Sequence, residues 1–170
     1  MRPFRLFFVL LCLSSAVSAN LPFNLTSIKQ QLTEYHDSGQ YLQDIRDVTN
    51  SATSYLRYRV YQNRRRAHPK KLAIVFDIDE TLLSNYQKMK HSHFGGGGPI
   101  SNNDPAITPT AALFNKAKRW GVTVFLITGR ANLIKNRRLT EENLTRVGLT
   151  GWKALYLKPL SYQHMSAVPY

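Results

Sequence analysis

The spacing of apolar positions changes character near residue 70. Upstream, Tyr41, Ile45, Val48, Ala52 and Tyr55 recur at alternating steps of four and three, a helical period, so an amphipathic helix is predicted over the stretch ending near Tyr61. A shorter helix around Ser27–Tyr35 precedes it, with Gly39 punctuating the join. Downstream, Leu72–Phe76 is an unbroken apolar run of strand length, the pattern of a strand buried on both faces. A second such run, Val122–Ile127, follows a helix framed by Thr108 as N-cap, Pro109 at its first position, Lys116, Lys118 and Arg119 in its last turn, and Gly121 beyond. A third cycle pairs a helix over Asn132–Val147, ended by Gly148, with a strand over Ala154–Leu157. Strands alternating with helices predict an α/β sandwich on a parallel sheet.

Two segments break this alternation. Residues 84–105 hold Lys88, Lys90, His91, His93, four consecutive glycines and Asn102-Asn103-Asp104, and read as an insertion of the lid or binding type. His91 and His93 lack an evident third ligand, so they are read as solvated. Arg64-Arg65-Arg66 and His68-Pro69-Lys70-Lys71 form a basic linker closed by a helix-breaking proline. No aromatic residue interleaves with those three arginines, so the cluster is not read as a nucleic-acid patch.

Composition adds boundaries. At 43% apolar and 19% charged over 170 residues, the chain can bury one core and is not disordered by composition. The two arginines before the apolar run Leu6–Leu13, followed by small residues up to Ala19, form a secretory signal peptide with cleavage expected after Ala19. That run is too short for a stable membrane anchor. The expected location is secreted or periplasmic. Cys12, the single cysteine, lies inside the signal, which excludes disulfides and cysteine-based catalysis or metal binding from the mature protein. A net charge of +13 favours anionic partners without choosing among phosphate esters, nucleic acids, lipids or glycans.

The candidate chemistry lies at the carboxyl ends of the two long apolar runs, where ligands bind in open parallel sheets. The first run breaks into Asp77-Ile78-Asp79-Glu80-Thr81 and the second into Thr128-Gly129-Arg130. Acids after a strand are often no more than helix caps or solvated turns. Two carboxylates one residue apart, beside a Thr-Gly-Arg turn on a strongly basic chain, instead suit a divalent cation and a phosphoryl group. Mg²⁺ takes one or two carboxylates plus waters and substrate oxygens. One carboxylate can attack phosphorus while the other moves the proton. Thr128 and the Gly129 N–H are suited to phosphoryl oxygens.

The string Phe76-Asp77-Ile78-Asp79-Glu80-Thr81-Leu82-Leu83-Ser84-Asn85 resembles motif I of the haloacid dehalogenase superfamily, in the form used by its secreted acid phosphatases and by plant vegetative storage proteins. Leu126–Arg130 resembles motif II, and Pro105-Ala106-Ile107, Arg138, Thr140, Asn143-Leu144, Gly148 and Trp152 are further matches. The resemblance implies a Rossmann-like three-layer α/β sandwich with a small cap. It divides the chain into a signal at 1–19, a helical extension at 20–66 and a core at 67–170 with the cap insertion at 84–105.

Carried onto these positions, the resemblance makes Asp77 the nucleophile and a Mg²⁺ ligand. Asp79 becomes the general acid/base, binding the metal through its backbone carbonyl. Thr128 and Gly129 would hold the phosphoryl group and Arg130 would line the entrance. The family also has a motif III lysine and an acidic motif IV. Beyond Thr128 the acids are Glu141 and Glu142, inside a helix, so the chain is expected to stop short of both motifs; Lys158 is read as a strand-end surface residue.

The function expected from these readings is a secreted Mg²⁺-dependent acid phosphatase acting through an aspartyl-phosphate on small phosphomonoesters, nucleotides among them. No specific nucleic acid is expected as partner, and a homo-oligomer is open. The alternatives are a non-catalytic storage or binding protein on the same fold and a basic surface-binding module.

Overall fold

The computed structural model describes residues 24–162; the expected signal and cleavage site and residues 163–170 lie outside the described residues. Helices α1 (Leu25–Asp37) and α2 (Gln40–Arg64) form an N-terminal hairpin. Strand β1 (Ala73–Phe76), the short helix α3 (Tyr86–His91), α4 (Thr108–Arg119), β2 (Thr123–Ala131), α5 (Ile134–Arg146) and β3 (Ala154–Lys158) follow, with a 3₁₀ turn at Leu160–Tyr162. Gly39 joins the hairpin at φ 86°, a conformation that glycine adopts without the Cβ penalty.

The sheet is parallel in the order β1-β2-β3, Phe76 pairing with Leu126 and Leu126 with Leu155. The α/β class and parallel sheet are therefore those that the alternating periods predict. Strand β1 is not buried on both faces, however. Phe76, Val124, Leu126, Leu155 and Leu157 are buried with Leu113, Phe114 and Ala117 of α4 and Leu144 from α5, and Leu56 and Val60 of α2 close that core. On the alternate face Val75, Ile127 and Tyr156 are 59%, 37% and 54% exposed. Consecutive strands in sequence order carry their crossovers on one side, so the described helices cover one face.

Element ends differ from expectation in instructive places. Thr108 is the first residue of α4 and Ile107 its N-cap, a one-residue shift of the kind that helix termini commonly show. Strand β2 continues through Thr128-Gly129-Arg130 rather than turning there. Helix α2 runs on to Arg64, and Tyr55, Tyr58 and Tyr61 stand exposed on it, with Arg59 and Arg65 guanidinium carbons 5.6 and 5.3 Å from the Tyr55 and Tyr61 ring centres. Aromatic and basic residues therefore do interleave here, one helical turn apart, although the run Arg64–Arg66 by itself contains none.

The insertion is closed at its neck. Ser84 N–H donates to the Pro105 carbonyl at 2.9 Å, Ile107 N–H donates to Leu82 at 2.9 Å, and Leu83 bridges Ala106. Helix α3 occupies its first limb and is held from the other side by α1, whose Asp37 accepts from Tyr86 Oη at 2.8 Å and Lys90 Nζ at 2.7 Å. His91 and His93 are exposed.

Candidate active site

Asp77 and Asp79 follow β1 at the carboxyl edge of the sheet, separated by Ile78, which is fully buried and anchors the turn. Glu80 completes the turn at φ 52°, a left-handed conformation uncommon outside glycine and typical of strained functional loops. Its carboxylate compensates by accepting from the Asn85 N–H at 2.5 Å and from Asn85 Nδ2 at 3.2 Å.

Around Asp79 the structure gathers residues distant in sequence. Arg130 donates from Nε at 3.2 and 3.0 Å and from Nη2 at 2.7 Å, Asn85 Nδ2 donates at 2.7 Å, and Thr128 Oγ1 donates at 3.3 Å. The Arg130 side chain is only 3% exposed, so it does not line an entrance; it grips Asp79 from inside. The cause is strand alternation: Leu126, Thr128 and Arg130 are successive buried positions of β2, so Arg130 faces the core beside Thr128, while the register slips between the pairs Thr128–Leu157 and Ala131–Lys158.

Gly129 points the other way and is exposed, and a Cβ built on it meets nothing within 4 Å. No neighbour among the described residues demands glycine there. The room beside its backbone is free for a bound group.

The two carboxylates are electrostatically unlike. Burial pushes the Asp79 carboxyl up, but the hydrogen bonds and charge of Arg130, with help from Asn85 and Thr128, outweigh this and hold it below the ordinary 3.8. Asp77 stands exposed at the strand mouth and is raised above 3.8, first by partial desolvation against the surrounding protein and then by Asp79. The Ile78 N–H, Thr81 and Arg130 oppose that rise without cancelling it. Thr81 Oγ1 is a weak side-chain donor to Asp77 at 3.4 Å.

Residues that pattern reasoning left without a role complete the arrangement. Arg130 Nη1 donates to Thr140 Oγ1 at 2.8 Å. Asn143 is fully buried and bonds both backbone groups of Asp104, at 2.7 and 2.8 Å. Thr140, Asn143 and Leu144 share the inward stripe of α5, so two polar residues at core positions of an amphipathic helix were the available signal. Asn143 also opens an Asn-x-Thr sequon, but its burial commits it to the network. Lys158 ends β3 at the same sheet edge and is half-buried.

A model of the haloacid dehalogenase superfamily, subfamily IIIB (acid phosphatase), matches residues 10–170, and the chain belongs to that family. Among individual proteins, acid phosphatase 1 of Solanum lycopersicum is 31% identical over 93 residues, which make up 49% of this chain and 36% of that protein. The class C acid phosphatase of Bacillus anthracis superposes with TM-score 0.65 at 22% identity, over 81% of this chain and 60% of that one. The same enzyme with tungstate bound gives 0.61 at 24% identity, over 78% and 59%. At these identities the structures show the shared fold. The chain spans less than two thirds of the length of each of these relatives.

Proposed function

We propose that this protein hydrolyses phosphate monoesters through an aspartyl-phosphate. The observation that carries the reading is the division of labour at one strand end: an exposed Asp77 held by few donors, next to an Asp79 fixed on a buried guanidinium. Asp77 Oδ attacks phosphorus, the P–O bond to the alcohol breaks, and the leaving oxygen takes a proton. Water then attacks phosphorus, the bond from Asp77 Oδ to phosphorus breaks to release inorganic phosphate, and the proton of the water passes through Asp79 to the departing phosphate or solvent. Because Arg130 holds Asp79 ionised, Asp79 enters this cycle as a base. The proton that it hands to the leaving group comes from the substrate monoanion, the form that dominates below a second phosphate pKa of about 6. An acidic optimum follows. Thr128 and the open backbone at Gly129 would receive the phosphoryl oxygens.

The donors present suit a hard divalent cation. The Asp77 carboxylate is exposed, with only a weak side-chain donor in Thr81 Oγ1, and the Asp79 main-chain carbonyl follows two residues on. When bound there, Mg²⁺ supplies positive charge for the phosphoryl oxygens. Among the described residues no group of three or more His, Cys, Asp or Glu stands together, and of these residues Asp77 and the Asp79 main chain would hold the ion. The apolar leader supports a secreted or periplasmic location, and no described helix is long and apolar enough to cross a membrane.

The test is turnover of p-nitrophenyl phosphate by the full-length protein that carries this chain between pH 4 and 8, with Mg²⁺ or with EDTA. Metal-dependent turnover is expected, and Asp77→Asn should reduce it by at least about a thousandfold. Activity of Asp77→Asn within tenfold of the parent would sink the assignment.

A further inference from the structure

Arg130 faces two carboxylates rather than one. Its Nη2 is 2.7 Å from Asp79 and 3.8 Å from Oδ2 of Asp104, the residue at the end of the insertion. Asp104 is as deeply buried as Arg130, with its side chain 6% exposed. The same Oδ2 accepts from Lys88 of α3, whose Nζ donates at 2.9 Å and also bonds the Pro99 carbonyl at 3.1 Å. Ser101 Oγ holds the other oxygen at 3.0 Å, and Asn143 fixes the backbone. The result is a row of alternating charges, Lys88, Asp104, Arg130 and Asp79, running from the insertion helix to the sheet edge.

The Lys88 side chain is 22% exposed and is the outermost member reached through the insertion. It is presented by a helix whose opposite flank, Tyr86 and Lys90, is fastened to Asp37 of α1. Gly98 lies against the Lys88 stem, where a Cβ would come within 3.2 Å, so the second limb of the insertion packs directly on this lysine.

We propose that Lys88 and Asp104 are positioning residues: by engaging Asp104, Lys88 leaves Arg130 to Asp79, so that seating of the insertion and orientation of the acid/base are one equilibrium. When Lys88 is withdrawn, Asp104 is left as a buried carboxylate with an unmet charge. Its nearest cation is Arg130, which it then draws away from Asp79. The orientation of Asp79 loosens although nothing touching the substrate has changed. This rests on Asp79 acting as proposed above, and the measurements below separate the two ideas.

Lys88→Met should lower kcat on alkyl phosphates about tenfold, with KM changed by less than about twofold. The loss should be smaller on p-nitrophenyl phosphate, whose leaving group needs little protonation. Adding Asp104→Asn to Lys88→Met removes the competitor and should restore kcat at least about fivefold, an outcome that a merely structural loss would not give. The Arg130 Nε–H resonance reads the same exchange without turnover: it should shift in Lys88→Met and return in the double variant. Should Lys88→Met fold poorly by its thermal transition, Lys88→Gln serves the same comparison. Unchanged kcat and resonance in the single variant, or no recovery in the double, overturns the proposal. A protein with no phosphatase activity at all, whose resonance nevertheless shifts and returns as described, would retain the charge row and refute the enzymatic reading.

Discussion

At the residue scale, the two strand-end aspartates illustrate how one tripeptide yields two different acids. Asp79 lies below 3.8 and Asp77 above it, so in metal-free buffer carboxyl NMR should show Asp79 losing its proton at lower pH than Asp77. The signs for stability are opposite. The Asp79 contribution is present above about pH 3.8 and is lost as pH falls through its depressed folded value; ionising Asp77 costs stability as pH rises through its raised one. Arg130→Met should destabilise the protein by ~2–3 kcal/mol, since it leaves Asp79 half-buried without its countercharge, and should move the Asp79 titration upward. Denaturant melts at pH 7 and the NMR titration check both. Arg130→Lys should rescue little, because an ammonium cannot reproduce the forked contact with Asp79 and Thr140.

At the element scale, α5 carries a polar stripe where its amphipathic period calls for core. Asn143 bonds both main-chain groups of Asp104, and its replacement by Leu would strand the Asp104 N–H and leave the carbonyl to Arg146 Nη2 at 3.1 Å; a loss of ~1–3 kcal/mol is expected in chemical denaturation. Thr140→Val, which removes one acceptor from Arg130, should cost less, ~1–2 kcal/mol. If Asn143→Leu were neutral, the anchoring of the insertion's end to α5 would be refuted. The hairpin contributes differently: α1 has no buried residue, and its Leu25, Ile28 and Leu32 remain 64%, 41% and 42% exposed. Its hold on α3 runs through Asp37, whose carboxyl is lowered to about 2, first by the hydrogen bond from Lys90 and then by those from Tyr86 and His36. That ionic contact should persist well into acid solution, where an acid phosphatase would work.

At the scale of the whole molecule, the sheet face that the described helices leave open carries Val75, Ile127 and Tyr156, and apolar surface of this kind drives association. The chain expressed over residues 20–170 should self-associate in light scattering, and Val75→Lys should reduce that without altering the far-UV circular dichroism. The sequence by itself determined the order of elements, the parallel sheet and the strand ends that carry Asp77, Asp79, Thr128 and Arg130, because a change of period and an interrupted apolar run are local facts. What it could not determine was the contact of Arg130 with Asp79, the covering of one sheet face by the described helices, or the pairing of Asp104 with Asn143 and Lys88. Those depend on the ends of β1 and β2 lying side by side, on both crossovers lying on one side, and on residues 51, 39 and 16 positions apart meeting in space. No periodicity encodes such contacts; the packing of α4, α5 and the insertion against the sheet creates them.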